Sequence, residues 1–461
     1  MEHIAAFAAD ARPEHLKPNV RQLFKRNILD SLACAIAALP GPPFKALREQ
    51  FEEYRAPGTC TLIAGGKTSV DQAALFNSGL TRYVDLLDSY MAPGGLAHPS
   101  DNFGAVLAAA EHAGASGEEF MLALAVSYEV QCRFTAVVPV MAKGFNHATQ
   151  LAMSVAAAAG KLFGLSAEQI ANAISIATAD SVSLACIHVE PVSQWKGFSP
   201  GWTGMRAVYA ASLAKRGFTG PTGLFEGPMG LNQVFGPIPV DWEDPSLDFV
   251  TQTVLKKYCS LIHGQAVIEA TLDVRHSNDL HPADVDHVRC DIFQAGYDFA
   301  GGGSYGSKDH PWLKEQGDYN LKYLISAALL DGQVGPDQLT AARIQSPDAQ
   351  AMVARVEVQP DAKFTARFPQ ELCARITVRT KGGQNLVKEH IGYEGGLDQP
   401  MSWDRVVEKF HWLSERFADE YLRNEIIRTV QQLDAQPISA LMNLLARVQP
   451  SASYPKTIAG I

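Results

Sequence analysis

The stretch Leu151-Ala152-Met153-Ser154-Val155-Ala156-Ala157-Ala158-Ala159-Gly160-Lys161-Leu162-Phe163-Gly164-Leu165 is the most apolar in the chain. Gly160 and Lys161 interrupt it, so it falls short of the ~18 uninterrupted apolar residues that a membrane span needs. It predicts a helix buried in protein. Residues 152–162 are mostly small, and small side chains let backbones approach closely, so this helix is expected at the centre of a helical bundle. The pattern continues on both sides. Leu23, Ile28, Leu29, Leu32, Ala33 and Ile36 form a helical stripe. It stops at Leu39-Pro40-Gly41-Pro42-Pro43, where missing N–H groups and proline rings end a helix. Residues 103–113 and 118–134 repeat the pattern, and Ser166-Ala167-Glu168-Gln169 carries a capping-box signature.

The texture changes after about residue 256. Val288, Cys290 and Ile292 alternate with Arg289 and Asp291, and Val356 and Val358 flank Glu357. That period of two reads as strands. Ile376, Val378 and Thr380 precede Lys381-Gly382-Gly383-Gln384, and Leu386-Val387 follow, a hairpin signal. Residues 321–330 and 336–343 read as helices between these strands. Residues 402–449 return to helical spacing, with Ser402 as a cap. The expected fold is mainly α: a large all-helical domain formed by both chain ends (1–255 and 394–461), with a smaller α+β lid domain (256–393) inserted. No repeat of 20–50 residues is present.

Of the 461 residues, 47% are hydrophobic and 19% charged, which excludes wholesale disorder. Lys plus Arg number 39 against 49 Asp plus Glu, a net charge of −10. With no basic run, this argues against nucleic-acid binding while leaving room for a locally cationic pocket and an anionic substrate. The seven cysteines are scattered, with no Cys-x-x-Cys pair. That fits a reducing compartment rather than a disulfide framework or a zinc ribbon. Met1-Glu2-His3-Ile4 carries an acid where a secretory signal would carry Lys or Arg. A cytoplasmic protein with no membrane partner is expected.

Phosphate-loop and zinc-protease signatures are missing, and no Gly-x-Gly-x-x-Gly stands between a strand and a helix. Gly301-Gly302-Gly303 reads as a flexible surface loop rather than a nucleotide site. The informative segment is Asp85-Leu86-Leu87-Asp88-Ser89, followed by His98-Pro99-Ser100-Asp101-Asn102. Asp85 and Ser89 stand four apart and would share one helix face, ended by Pro93-Gly94-Gly95. His98 would then sit in a loop before the next helix, where Asp85 could orient it. Against that stands a bland reading, in which Ser100 and Asp101 are caps and His98 is exposed. Three more polar residues stand in apolar or small-residue contexts. They are His147 before the Ala-rich helix, Lys196 beside Trp195, and His263 at the expected domain junction. Each alone could be a core histidine, a lysine packed on Trp195, or a hinge residue. Together they suit proton transfer on a polycarboxylate, with lysine holding carboxylates and histidines moving protons.

The chain resembles the MmgE/PrpD family, the 2-methylcitrate dehydratase superfamily, over essentially its whole length. The resemblance is carried by the two segments above, by Lys143-Gly144-Phe145-Asn146-His147, and by Ser193-Gln194-Trp195-Lys196-Gly197. Phe225-Glu226-Gly227-Pro228-Met229-Gly230, His263-Gly264-Gln265-Ala266-Val267-Ile268-Glu269-Ala270, Ala328-Leu329-Leu330-Asp331-Gly332 and Lys409-Phe410 also match. It implies a large helical domain with an inserted lid, a homodimer, and a site without cofactor or metal between the domains. It also implies Asp85, His98, His147 and His263 as catalytic residues, with Ser89 and Lys196 binding substrate. Ser89 stands where threonine is usual, and Leu86-Leu87 replace a more polar pair. The stretch from Tyr297 to Trp312 matches least, so neither Tyr297 nor Tyr305 receives a role.

The resulting expectation is a carbon–oxygen lyase dehydrating a 2-methylcitrate-like tricarboxylate. A cis-aconitate-type decarboxylase or an epimerase would use the same pocket. A small-acid binding protein is the non-enzymatic alternative, although binding alone does not need several histidines. A metal-dependent hydratase is a third reading, and scattered cysteines speak against an iron–sulfur cluster.

Overall fold

In a computed structural model of the chain, residues 1–55, 57–92, 95–181 and 183–449 are described. The chain is mainly helical, with small sheets. It divides into two compact units: Met1–Ala185, Gly197–Thr253 and the segment from Ser402 onward form one, Cys186–Lys196 and Val254–Met401 the other.

After a short helix, Glu2–Asp10, the first unit continues with α1 (Pro18–Ala37), buried on every side from Phe24 to Ala37. The prolines after it do two jobs. They close α1, and Pro42 and Pro43 supply the first turn of α2 (Pro42–Tyr54), where a missing N–H costs nothing. Next come α3 (Val70–Tyr83), a hairpin of β1 (Tyr90–Ala92) and β2 (Gly95–Ala97), and a 3-10 turn, Pro99–Asn102. Then follow α4 (Phe103–Ala113), α5 (Gly117–Val137), α6 (Ala148–Leu162) and α7 (Ala167–Ala179). Helix α6 is the Ala-rich run, buried from Ala148 to Gly160; α5 and α7 pack against it. Close approach is enforced between α3 and α4: a Cβ on Gly104 would lie 2.2 Å from the Ser78 nitrogen. Ser166 and Gln169 form the expected reciprocal cap of α7.

Within the second unit, α8 (Gln265–Ser277) precedes β3 (Val285–Ile292), α9 (Leu321–Asp331), β4 (Val356–Pro360), β5 (Cys373–Thr380) and β6 (Asn385–Ile391). The sheet order is β4-β3-β5-β6. The β3–β4 pair is parallel and the other two pairs are antiparallel. Helix α8 lies on β5 and β6. The β5–β6 turn is the expected one, with Gly383 at φ 84°.

The chain then returns to the first unit with α10 (Trp403–Ser414), α11 (Glu420–Gln431) and α12 (Ile438–Leu445). Ser402 caps α10 by accepting from the Arg405 nitrogen, and α10 packs on α1.

Two expectations are corrected. Residues 85–89 are not helical: α3 ends at Tyr83, Asp85 takes the left-handed conformation (φ 50°), and a hairpin follows. Side-chain hydrogen bonds from distant residues hold this segment and outweigh its local helical spacing. The triple glycine is not a loose loop. Tyr297–Gly301 forms a tight π-helical turn in which a Cβ on Gly301 would come within 2.8 Å of both Tyr297 and Val358.

Candidate active site

In the first unit, the candidate residues converge on the irregular segment after α3. Arg82, in the last turn of α3, holds the Asp85 carboxylate at 2.7 Å. Lys409 of α10 donates to the Leu86 carbonyl at 3.1 Å while pairing with Asp30 of α1 at 2.6 Å. Asp88 is the hub. Its Oδ1 accepts from the Ser100 backbone nitrogen (2.9 Å) and hydroxyl (2.6 Å); its Oδ2 accepts from the Tyr128 hydroxyl (2.8 Å) and Asn27 Nδ2 (3.2 Å). Burial pushes the Asp88 carboxyl up to about 6 even against these donors.

His98 is buried, only 1% exposed, which corrects the exposed-loop alternative. Its Nδ1 lies 2.7 Å from the Asp88 carbonyl oxygen and 3.1 Å from Ser89 Oγ. A carbonyl can only accept, so Nδ1 carries the proton, and in the neutral ring the lone pair is on Nε2. The orienting contact on Nδ1 thus comes from the Asp88 main chain, with Asp85 turned to Arg82.

His147 stands at the start of α6, where Asn146 Oδ1 caps the Ala148 nitrogen at 2.7 Å. The His147 ring faces the His98 ring at 4.9 Å, nearly perpendicular at 80°. Its Nε2 is 3.2 Å from Oδ2 of Asp101, a carboxylate with no solvent exposure. Burial lowers the His147 pKa; Asp101 and Asp85 raise it and Arg82 lowers it further. The two rings therefore stand in different surroundings, His98 Nδ1 bonded to a neutral carbonyl and His147 Nε2 beside a carboxylate at 3.2 Å, outside hydrogen-bond geometry.

The second unit holds the other two candidates. Lys196 is buried, and its ammonium contacts Asp318 at 2.6 Å and sits 3.7 Å over the Tyr319 ring. Lys314 takes the other Asp318 oxygen at 2.7 Å. Two ammonium groups thus share one carboxylate. Lys196 packs on Tyr319, which also stacks with the His188 ring. Lys308 is buried against Glu190 at 2.6 Å. His263 lies among Phe293, Phe299 and Phe368, stacked on Phe299 at 5.5 Å. Its Nδ1 has no hydrogen-bond partner among the described residues. Burial, aided by the Lys256 charge, lowers its pKa to about 4, so this ring is neutral at pH 7.

Sequence reasoning missed Asp88, Tyr128, Asn27 and Lys409 as supports, and it took Asp101 for a cap. Only the position of Asp88 inside the quoted segment hinted at its role.

The profile of the MmgE/PrpD N-terminal domain matches residues 2–241, and that of the C-terminal domain matches residues 258–435. The chain belongs to the MmgE/PrpD family. The second profile crosses the boundary at which the chain re-enters the first unit, so family halves and compact units do not coincide. Among relatives, this MmgE/PrpD protein is 22% identical to a cis-aconitate decarboxylase-like protein of Aspergillus oryzae, over 95% of this chain and 96% of the relative. It is 27% identical to the 2-methylcitrate dehydratase of Escherichia coli, over 74% of each chain. It is 23% identical to a cis-aconitate decarboxylase of Aspergillus terreus, over 96% and 95%. All seven cysteines are free, and no helix among the described residues is long and apolar enough to cross a membrane.

Proposed function

We propose that the protein is a lyase that eliminates water from a 2-methylcitrate-like tricarboxylate. The observation that carries this is the facing pair of buried imidazoles, one bonded to a neutral carbonyl and the other beside a buried carboxylate. Elimination needs a base for the C–H beside a carboxylate and an acid for the departing hydroxyl. His98, its lone pair on Nε2, removes the carbon-bound proton. His147, whose cationic form Asp101 stabilises, delivers a proton to the hydroxyl as the C–O bond breaks, and water leaves. Substrate carboxylates act on His147 in the same direction as Asp101, raising its pKa and loading it with a proton.

Lys196 and Ser89 are assigned to carboxylate binding and His263 to the same reaction on the strength of the motif match. The excess of ammonium over carboxylate around Asp318 supports the lysine role. Decarboxylation of a cis-aconitate-type acid is the second reading. The A. oryzae relative, similar over nearly its full length, favours it.

The test is incubation with 2-methylcitrate, citrate and cis-aconitate separately, following unsaturated products by ultraviolet absorbance and carbon dioxide release. Absorbance rising with 2-methylcitrate, without carbon dioxide, is the expected result. Carbon dioxide release from cis-aconitate would transfer the assignment to the decarboxylase reading.

A further inference from the structure

We infer that Asp88 is a positioning residue that fixes the tautomer and direction of the His98 ring without touching substrate. The inference rests on the reading of His98 as the base. Its geometry, however, belongs to the protein alone.

Asp88 grips the His98 segment at two points. Its main-chain carbonyl takes the His98 Nδ1 proton at 2.7 Å, and its carboxylate takes two donors from Ser100, two residues further on. The remaining carboxylate oxygen is anchored to α1 through Asn27 and to α5 through Tyr128. Residues 85–88 lie outside helix and sheet, so no ladder holds the Asp88 carbonyl in place. The four donors on the side chain supply that hold instead. Each is a donor, so the clamp demands a carboxylate, which accepts at every site. An oriented imidazole matters because a misplacement of about 1 Å can cost ~100-fold in rate.

Asp88→Asn keeps the shape and breaks the pattern. Its oxygen would go to Ser100, where the backbone N–H can only donate. Its NH2 then faces Tyr128, which can reverse to accept, and Asn27 Nδ2, which cannot. Asn27 is prevented from flipping because its Oδ1 accepts from Arg26 Nε and Nη2 at 3.1 and 3.0 Å. A donor is left facing a donor inside the core. Ser100→Ala is the gentler variant: it removes the 2.6 Å hydroxyl donor and leaves the backbone N–H bond and the other anchors.

The experiment uses the full-length protein labelled with ¹⁵N-histidine, without substrate. The His98 ring signals are identified as those lost in His98→Gln, and circular dichroism controls for folding. The expected wild-type pattern is a protonated Nδ1 and an unprotonated Nε2. In Asp88→Asn, and to a smaller degree in Ser100→Ala, the ring becomes a mixture of tautomers. In the steady state, kcat falls at least ~10-fold in Asp88→Asn while KM stays near wild type, the signature of a misdirected group rather than a lost contact. If Asp88→Asn does not fold, Ser100→Ala decides alone. A His98 tautomer unchanged in the folded variants would overturn the inference. A changed tautomer in a protein that turns over none of the three acids would leave Asp88 in its positioning role and remove the proposed reaction instead.

Discussion

Replacing Asp101 with asparagine isolates one electrostatic interaction. Asp101 is fully buried, and its carboxylate lies 3.2 Å from His147 Nε2. Two unit charges at that separation interact by about 5 kcal/mol at an effective dielectric constant of ~20, which is an upper figure because solvent and structure relax. A neighbouring opposite charge usually moves a pKa by ~1–3 units, or ~1.4–4 kcal/mol. Burial already lowers the His147 pKa, and Asp101 is the largest contribution opposing it. Asp101→Asn should therefore drop that pKa by a further ~1–3 units. If protonated His147 is the acid, the decline of kcat on the alkaline side moves to lower pH, and turnover at neutral pH falls at least ~10-fold. Folding should not suffer, since a buried amide is cheaper to desolvate than a buried carboxylate. The assays are kcat and kcat/KM against pH on 2-methylcitrate, an NMR titration of His147, and a urea melt. An unmoved His147 titration with wild-type turnover would refute the coupling. A large loss of stability would show that Asp101 holds the 3-10 turn rather than the imidazole.

Other expected outcomes follow from the same geometry. His98→Asn should fold, because the ring contributes through hydrogen bonds more than through packing, and should lose at least ~10-fold in kcat. Lys196→Met leaves Asp318 with Lys314 as a partner, so its stability cost should stay below the ~3–5 kcal/mol of an orphaned buried charge. Its KM for tricarboxylates should rise more than its kcat falls. Gly104→Ala places a methyl 2.2 Å from the Ser78 backbone and should cost ~1–3 kcal/mol or more, read as a lower urea midpoint. The last outcome concerns Glu129, whose carboxyl burial pushes up to about 7. A raised carboxyl pKa gives stability that is present below the unfolded value near 4.5 and is lost as pH rises through 7. In pH-dependent urea melts wild type should thus lose stability relative to Glu129→Gln as pH rises from about 4.5 through 7, on top of a pH-independent cost of removing the partner of buried Arg133.

Much of this molecule is legible where the governing contacts are local. The caps at Ser166 and Ser402 are read from three-residue spacings and are formed as read. Alternation at Val288, Cys290 and Ile292 finds strand β3, and Gly382-Gly383 finds the turn beyond β5. Legibility fails where partners lie far apart in the chain. The spacing of Asp85 and Ser89 is compatible with a helix. What decides against it is a carboxylate at Asp88 held by Ser100, Tyr128 and Asn27, at separations of 12, 40 and 61 residues. Lys196 reads locally as a neighbour of Trp195, yet its partner Asp318 is 122 residues away. Chemistry at a buried site needs charged groups whose compensation comes from other elements, so the residues that matter most are the ones local pattern describes least.

Asp88 shows what such a long-range arrangement implies for pH. As a lone carboxyl it is more comfortable protonated, and burial sets its pKa near 6. The groups around it set the balance: Asp30 of α1 raises its pKa, the Ser100 and Tyr128 donors lower it, and Arg26 interacts with both Asp30 and Asp88. Folding stability therefore gains from this residue as pH falls through 6, by the same linkage that governs Glu129. The clamp on His98 does the reverse, since a protonated Asp88 cannot accept from four donors at once. Stability and activity should separate below about pH 6, with turnover falling while this residue's contribution to stability grows. An enzyme in which both declined together, with Asp88→Asn showing the same acid limb as wild type, would place the titration elsewhere. On the inference that Asp88 positions His98, its charged form costs folding stability and holds the ring that turnover uses.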